Sequence, residues 1–205
     1  MGIKFVTEHY FVSESFYSLQ GEGAFSGRAA YFVRLAGCRV GCPWCDSKES
    51  WKRENGREMS VAEILKMVAD SGTKIVVITG GEPMLHNLDT LTSALKESGV
   101  RVHLETSGSE PFSGTFDWIT LSPKRLKECR EEYFGLASEL KVVVESNEDF
   151  IRAQKMGKKV NKNCLLLLQS EWSVREEMMP KIIEFIKKNN NWGLSLQTHK
   201  FIGVE

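Results

Sequence analysis

The segment Cys38-Arg39-Val40-Gly41-Cys42-Pro43-Trp44-Cys45 decides how the sequence is interpreted, because it gathers three thiols on one short loop. It follows residues 30–35, an apolar run typical of a buried strand. A structural zinc ion or a closed electron-transfer cluster usually takes four ligands, so three thiols leave one metal position open to another molecule. The alternative is a zinc site completed by a distant histidine, for which the sequence offers His9, His86, His103 and His199.

Apolar, β-rich runs recur along the chain and alternate with amphipathic segments. Several runs are continuously apolar, as expected of strands that are covered on both faces. Strand and helix in alternation are typical of a mainly parallel sheet, and seven strands with few helices predict a partial or modified (β/α) TIM-type barrel, a single domain over residues 1–205. The predicted strands are 30–35, 74–79, 100–105, 118–121, 140–144, 165–169 and 193–197.

The ends of the predicted helices are marked by capping residues. Ser60 and Glu63 form a capping box before residues 61–71, and Gly72 can adopt the left-handed conformation that ends a helix. Pro180 is expected to split or delay the last helix, because proline removes a helical hydrogen bond. The predicted helices are 61–71, 88–98, 148–156 and part of 174–188.

Composition and charge exclude several classes of function. The 205 residues carry 27 basic and 27 acidic side chains, so no net charge favours nucleic acid or a membrane surface as a partner. The chain has no uninterrupted apolar run of the ~18 residues needed to cross a membrane, and its first residues do not resemble a signal peptide. Five cysteines, an odd number, are unsuited to a disulfide framework. We therefore expect a soluble cytoplasmic enzyme whose substrate is a small molecule or a protein.

Polar or glycine-rich segments follow nearly every predicted strand. In parallel α/β folds, the loops at the carboxyl ends of the strands form the ligand site. We therefore expect these segments to meet at one mouth of the barrel, and only strand 140–144 lacks one. Besides the cysteine loop they are Thr79-Gly80-Gly81-Glu82-Pro83, Glu105-Thr106-Ser107-Gly108, Ser122-Pro123-Lys124, Gln169-Ser170 and Gln197-Thr198-His199-Lys200.

The C-x-x-x-C-x-x-C spacing after the first strand and Gly80-Gly81-Glu82-Pro83 after the second together resemble the radical S-adenosylmethionine superfamily. The resemblance implies that Cys38, Cys42 and Cys45 hold a 4Fe-4S cluster whose open iron binds S-adenosylmethionine. Reductive cleavage of that cofactor would give methionine and a 5′-deoxyadenosyl radical. In this segment, the two glycines let a ligand approach the backbone closely, and Glu82 can accept a hydrogen bond from an ammonium group. The alternative is that Gly80-Gly81-Glu82-Pro83 forms only a tight turn.

Further segments resemble one branch of that superfamily, the 7-carboxy-7-deazaguanine synthases, almost from end to end. The resemblance implies conversion of 6-carboxy-5,6,7,8-tetrahydropterin to 7-carboxy-7-deazaguanine and ammonia, in the pathway to queuosine and other 7-deazapurines. It also implies a homodimer and an electron donor such as flavodoxin or ferredoxin. The matching segments, beside the two motifs above, are Ser18-Leu19-Gln20-Gly21-Glu22-Gly23, Phe32-Val33-Arg34-Leu35-Ala36-Gly37-Cys38, Trp44-Cys45-Asp46-Ser47, Ser122-Pro123-Lys124 and Gln197-Thr198-His199-Lys200.

Two other classes of function stay open at this point. A glycyl-radical-enzyme activase would share the cysteine spacing and would act on a protein, but it would not explain Gln20-Gly21-Glu22-Gly23 or Gln197-Thr198-His199-Lys200. A non-catalytic iron-sulfur or zinc protein would explain the thiols alone. The spectrum of such a scaffold's cluster would not change when S-adenosylmethionine is added.

The substrate contacts are predicted from polar residues near the first strand and at the last one. Arg34 lies on the same face of an apolar strand as Phe32, and a buried guanidinium needs an anion. A substrate carboxylate would fit, and the alternative is an internal ion pair with a residue such as Glu22 or Glu105. The resemblance adds His199 and the terminal carboxylate, for which a frayed chain end is the alternative. The predicted substrate contacts are Leu19, Gln20, Gly21, Glu22, Arg34, Thr79, His199 and Glu205.

The cofactor contacts are predicted from the loops after the middle strands. Lys124 suits the carboxylate of S-adenosylmethionine, although a solvent-facing loop residue is the alternative. Trp44 is expected to shield the cluster or to lie near the adenine, while Trp51 and the remaining tryptophans are assigned to packing. The predicted cofactor contacts are Trp44, Asp46, Gly80, Gly81, Glu82, Glu105, Thr106, Ser107, Ser122, Pro123, Lys124 and Gln169.

Asp46 and Ser47 directly follow the last cysteine of the motif, and their oxygens are ligands for a hard cation. The resemblance implies Mg²⁺, bound in the family by a hydroxyl that is often threonine. Ser47 keeps that oxygen but lacks the methyl group that restricts the rotamer. One hydroxyl is a weak site, so the substrate is expected to contribute further ligands.

Overall fold

Nine strands form one sheet in the computed structural model, which describes residues 8–204. Their order across the sheet is β3-β1-β2-β4-β5-β6-β7-β8-β9, and within the described residues the sheet does not close. From β2 onward neighbours are parallel, whereas β1 runs antiparallel to both β2 and β3. The strands are β1 His9–Leu19, β2 Ala29–Leu35, β3 Arg57–Ser60, β4 Ile75–Gly80, β5 Arg101–Thr106, β6 Trp118–Leu121, β7 Glu139–Val144, β8 Leu165–Ser170 and β9 Trp192–Leu194. The predicted partial (β/α) TIM-type barrel is confirmed.

The seven predicted strands are all present, but the predicted count was wrong because β1 and β3 were missed. In β1 the polar triplet Ser13-Glu14-Ser15 interrupts the apolar residues, and the strand also contains a register shift. In β3 only Met59 is buried. β3 lies at the edge of the sheet and β1 next to it, and strands that are not covered on both faces carry a weaker apolar pattern than central strands. The last strand is shorter than predicted: it ends at Leu194, so Gln197 precedes a helix rather than closing the strand.

The predicted capping box is confirmed. The Ser60 hydroxyl accepts from the Glu63 amide at 3.3 Å, and the Glu63 carboxylate accepts from the Ser60 amide at 2.8 Å. Gly72 ends the helix at a φ of 66°. None of the helices among the described residues is long and apolar enough to cross a membrane. The helices are α1 Val61–Ser71, α2 Asp89–Glu97, α3 Glu132–Leu136, α4 Glu148–Gly157, α5 Arg175–Lys188 and α6 Thr198–Ile202.

The expectation that Pro180 splits or delays the last long helix is wrong, because α5 runs through it without a break. Pro180 is exposed, so water can satisfy the carbonyl that its missing N–H leaves free. Met178 and Ile182, on either side of it, are buried in the core. Tertiary packing on those two side chains therefore outweighs the local cost of the proline.

Alternation along the strands separates the core from the mouth of the barrel. In β2, Val33 and Leu35 are fully buried in the main apolar core, whereas Phe32 and Arg34 point to the other face and line a cavity. Arg34 is paired in register with Thr79 of β4, which lines the same cavity. The period of two along each strand therefore fixes which side chains reach the site.

Candidate active site

A cavity of about 500 Å³ opens at the carboxyl ends of the parallel strands. This volume is in the range of sites for small molecules and cofactors. Its wall combines the three thiols of the cysteine loop with residues that lie on the seven parallel strands or follow them. The predicted site residues that line it are Leu19, Gln20, Gly21, Glu22, Arg34, Cys38, Cys42, Trp44, Cys45, Asp46, Ser47, Thr79, Gly80, Gly81, Glu105, Thr106, Ser107, Ser122, Lys124, Gln169 and His199.

The cysteine loop presents three free thiols to this cavity. The loop is anchored at its start by the Cys38 amide, which donates to the Trp51 carbonyl at 2.9 Å. Burial raises the pKa of Cys38 and of Cys42 above the ordinary value of a thiol, so their thiolates need a cationic partner. Among residues 8–204, no three His, Cys, Asp or Glu side chains are grouped to hold a single metal ion. Three uncrosslinked thiols on one loop are the donor set that suits an iron-sulfur cluster.

Trp51 is a residue that the sequence interpretation assigned wrongly. It was expected to serve only packing, but its ring lines the cavity and its indole Nε1 donates to Cys45 Sγ at 3.3 Å. The same sulfur accepts from the Ser47 amide at 3.4 Å. A signal existed in the sequence, because Trp51 lies only six positions after Cys45.

The two glycines after β4 allow backbone strands to approach each other closely. A side chain on Gly80 would lie 2.4 Å from the Leu35 carbonyl oxygen, and one on Gly81 would lie 2.5 Å from that of Gly37. The Gly81 amide donates to Leu35 at 3.0 Å. The glycines therefore hold the end of β4 against β2 and the start of the cysteine loop, in addition to lining the cavity.

Glu82 does not reach the cavity wall. Only 2% of the residue is exposed, and its carboxylate accepts from the Thr106 hydroxyl at 2.6 Å and from the Ser107 amide at 2.9 Å. It also accepts from the Met84 amide at 3.2 Å. Both oxygens thus have partners inside the protein, and the carboxylate fixes the positions of Thr106 and Ser107, which do line the cavity.

An ion pair between Glu22 and Lys141 forms a polar part of the cavity wall. Lys141 Nζ donates to Glu22 Oε2, and the Gln197 amide donates to Glu22 Oε1 at 2.9 Å. Burial alone would raise the pKa of Glu22, but the attraction of Lys141 and these hydrogen bonds lower it to about 2. Conversely, burial would lower the pKa of Lys141, and the negative charges of Glu22 and Glu105 raise it instead. Both groups are charged at neutral pH.

Sequence interpretation missed Lys141, because β7 was the one strand without a polar segment after it. The lysine lies within the strand and not beyond its end. Its signal is the one used for Arg34, a cation inside an otherwise apolar strand. Gln20 completes this wall: its amide donates to Glu105 Oε1 at 2.8 Å, and Thr79 donates to Glu105 Oε2 at 3.4 Å.

Arg34 lines the cavity as predicted, but its ion pair is with neither Glu22 nor Glu105. Arg34 Nε donates to Glu14 Oε1 at 2.6 Å, and Glu14 lies across from it on β1. Since β1 was not predicted, this partner was not considered. The guanidinium side chain is 19% exposed and keeps further N–H groups for another anion.

Lys124 is half-buried beside the cysteine loop. Its ammonium donates to the Ser122 hydroxyl at 2.8 Å and lies 5.4 Å from the centre of the Trp44 ring. Burial and the neighbouring Lys141 lower its pKa. Pro123 does not line the cavity, and its carbonyl accepts from Arg152. The segment therefore contributes Ser122 and Lys124 to the site, with Pro123 behind them.

Asp46, Ser47 and His199 lie on the same side of the mouth. Ser47 is buried, with its hydroxyl 3.4 Å from Asp46 Oδ1, and Asp46 Oδ2 accepts from Lys200 at 3.2 Å. His199 belongs to α6 and packs on Gly21, where a side chain would come within 2.0 Å of His199 Nδ1. The predicted contact at Glu205 lies outside the described residues.

The comparisons with known proteins agree with this geometry. Residues 33–161 match the Radical SAM superfamily model. A 7-carboxy-7-deazaguanine synthase from Synechocystis sp. is 47% identical over 199 residues, 97% of this chain and 95% of the relative. One from Escherichia coli K12 is 33% identical and covers 95% of this chain and 99% of the relative. The crystal structure of QueE from Escherichia coli matches with a TM-score of 0.85 at 32% identity, covering 93% of this chain and 95% of that one.

Proposed function

The chain belongs to the 7-carboxy-7-deazaguanine synthase family of radical S-adenosylmethionine enzymes, and we propose that its reaction takes place in the cavity between the cysteine loop and the Glu22–Lys141 pair. The enzyme catalyses the radical-mediated ring contraction of 6-carboxy-5,6,7,8-tetrahydropterin to 7-carboxy-7-deazaguanine with loss of ammonia, in queuosine and 7-deazapurine biosynthesis. Its cofactors are a 4Fe-4S cluster and S-adenosylmethionine. We propose that residues 1–205 form one catalytic domain.

One observation carries the assignment of the site: three free thiols and the Glu22–Lys141 ion pair line a single cavity. Cys38, Cys42 and Cys45 would hold the cluster, which together with S-adenosylmethionine supplies the 5′-deoxyadenosyl radical. Lys124 presents a half-buried ammonium at the cavity that can bind the carboxylate of S-adenosylmethionine. Thr106 and Ser107, which hydrogen bonds to Glu82 hold in place, present hydroxyl groups to the same cavity. These chain residues orient the cofactor and exclude water around it.

The part of the cavity wall that contains Glu22 and Lys141 suits a flat, polar heterocycle with a carboxylate. Gln20, Glu22 and His199 supply donors and acceptors that match the edge of a pterin. The guanidinium of Arg34 offers its remaining N–H groups to the substrate carboxylate, as a planar fork does for other carboxylates. Lys141 keeps Glu22 ionised and in one position through their ion pair. We propose that this wall sets the orientation of the substrate relative to the thiol side.

The direct test is anaerobic incubation of the cluster-loaded enzyme with reductant, S-adenosylmethionine and 6-carboxytetrahydropterin, followed by mass analysis. We expect 7-carboxy-7-deazaguanine and ammonia in equal amounts. S-adenosylmethionine cleavage without the deazaguanine, in an enzyme with full cluster content, would argue for another radical reaction at this site.

We also propose that Mg²⁺ binds beside the cluster at the Ser47 hydroxyl, with the substrate as a further ligand. The side chain is buried at the cavity and has the carboxylate of Asp46 next to it, which are the hard oxygen donors that Mg²⁺ prefers. Among the described residues no further group of metal ligands is present at this position, so we expect Mg²⁺ to bind together with the substrate. The role of the hydroxyl can be tested by substitution.

Ser47→Ala should weaken the magnesium dependence of turnover while leaving the cluster intact. Loss of a metal-supporting group typically costs about 10- to 100-fold in affinity or activity, and we expect a change in this range in the Mg²⁺ concentration needed for half-maximal rate. Ser47→Thr is the matched control, because it keeps the oxygen. An Ala variant with the magnesium response of the wild type would exclude Ser47 as a ligand.

Partners beyond the substrate are proposals of the same kind. We propose a homodimer, a flavodoxin or ferredoxin as electron donor, and a cytoplasmic location. Phe201 and Ile202 of α6, 62% and 58% exposed, are apolar side chains that a second subunit could cover. All five cysteines are free, which agrees with a reducing compartment.

A further inference from the structure

We propose that Trp51 tunes the reduction potential of the cluster through the hydrogen bond from its indole N–H to the sulfur of Cys45. In this role Trp51 does not contact the reacting atoms. It changes the reduction potential only through its hydrogen bond to Cys45. The inference rests on the proposed function, because it requires that Cys45 binds the cluster. It adds a side chain outside the cysteine motif to the control of the first electron transfer.

The geometry of this contact is specific. The indole nitrogen lies 3.3 Å from Cys45 Sγ, and indole Nε1 is a donor that can accept nothing. The Trp51 carbonyl accepts from the Cys38 amide at 2.9 Å, so the same residue contacts two of the three cysteines. Trp51 ends a short 3-10 helix from Lys48 to Trp51, which the Ser50 hydroxyl ties to the Ser47 carbonyl at 2.6 Å. The ring is therefore held by backbone on both sides of the contact.

Cys45 Sγ differs from Cys38 Sγ in the kind of hydrogen-bond donor, because one of its donors is a side chain. Cys38 Sγ accepts from the Val40 amide at 3.5 Å, while Cys45 Sγ accepts both from the Ser47 amide at 3.4 Å and from the indole at 3.3 Å. Backbone donors cannot be removed without changing the chain. The indole donor can be removed alone, by exchange of tryptophan for phenylalanine.

The effect on the potential follows from charge. One-electron reduction of the cluster adds negative charge that is shared with the cysteine sulfurs, and an N–H donor stabilises that charge more in the reduced state than in the oxidised state. Hydrogen bonds to sulfur are among the factors by which proteins set cluster potentials. The indole bond should therefore raise the potential and ease reduction by a physiological donor.

Because a second cavity adjoins Trp51, the direction of the potential shift distinguishes loss of the hydrogen bond from entry of water. Trp51 and Cys38 line both the active-site cavity and a neighbouring cavity of about 410 Å³ that also contains Arg39 and Arg53. A smaller ring at this position would admit water toward the cluster. Water, like a hydrogen bond, stabilises the more highly charged reduced state. Loss of the hydrogen bond and entry of water therefore shift the potential in opposite directions.

The experiment is an anaerobic redox titration of the cluster, followed by electron paramagnetic resonance, in the wild type and in Trp51→Phe. We expect a roughly three- to tenfold lower ratio of reduced to oxidised cluster at a given potential, a negative shift of about 28 to 59 mV for a one-electron couple. Trp118→Phe, at the start of β6 and outside the residues that line the active-site cavity, is the matched control and should leave the midpoint unchanged. An unchanged or more positive midpoint in Trp51→Phe would overturn the proposal.

A second measurement on the unaltered enzyme avoids dependence on the variant's stability. Wild-type protein containing tryptophan labelled with ¹⁵N in the indole should show a weak ¹⁵N coupling in pulsed resonance spectra of the reduced cluster. The coupling should persist in Trp44→Phe. Its absence in wild type that holds a full cluster would reject the contact, whereas absence of the cluster itself would count against the proposed function and not against Trp51 alone.

Discussion

Cys42→Ala should lose the 4Fe-4S cluster and, with it, all detectable cleavage of S-adenosylmethionine. Two thiolates cannot retain a cluster that already has only three protein ligands. Cys42 is buried at the cavity wall, and burial raises the pKa of its thiol, so cluster binding must supply the positive charge that stabilises the thiolate. Iron and sulfide analysis, with absorption spectra of the anaerobically reconstituted protein, measures the loss.

Cys164→Ala is the matched control, because it removes a thiol that is partly buried at the start of β8 and does not line the cavity. This variant should keep the full iron and sulfide content and the activity of the wild type. Full cluster content in Cys42→Ala would remove the basis for the site. Equal loss in both variants would indicate a general effect of thiol removal on reconstitution and not ligation by Cys42.

Local patterns in the sequence were enough to predict much of the fold and the presence of three thiols at the mouth of the barrel. The cysteine spacing, the capping box at Ser60 and Glu63, and the continuously apolar central strands each depend on residues close together in the chain. These features are confirmed because packing does not oppose them. Pro180 shows the opposite case, since two buried neighbours keep α5 helical through a residue that locally disfavours it.

The relations that sequence could not supply are those between distant segments. Glu82 was expected to meet a ligand, and the structure turns its carboxylate toward Thr106 and Ser107, 24 and 25 positions away. Arg34 pairs with Glu14 only because β1 lies beside β2. Each outcome depends on strand register, which an isolated sequence does not specify at half-buried edges.

The Glu22–Lys141 pair joins residues 119 positions apart, and its removal should have the second large effect. Lys141→Met leaves the Glu22 carboxylate buried without its cation, and breaking a buried pair from one side typically costs about 3–5 kcal/mol. We expect a loss of unfolding free energy in that range together with loss of turnover. Anaerobic urea unfolding of the cluster-loaded protein measures the stability, and mass analysis of product measures the turnover.

The double variant Glu22→Gln with Lys141→Met separates stability from function. It removes both buried charges, so most of the lost stability should return, while turnover stays low because the substrate has lost the ionised Glu22. No recovery in the double variant would mean that the two side chains act independently. Recovery of turnover as well would mean that the pair supports the fold and does not position the substrate.

The pH dependence of the same comparison follows from the two pKa shifts. The pKa of Glu22 is lowered from 4.5 to about 2, so its contribution to stability is complete above pH 4.5 and is lost as the pH falls toward 2. The pKa of Lys141 is raised above 10.5, so its contribution is complete below that pH and is lost only as the pH rises through the raised value. The stability difference between wild type and the double variant, which keeps neither titratable group, should therefore be flat from about pH 5 to about pH 9. A difference that changes steadily across neutral pH would show that one member of the pair titrates there, and that the two side chains do not form a fully charged pair in the folded enzyme.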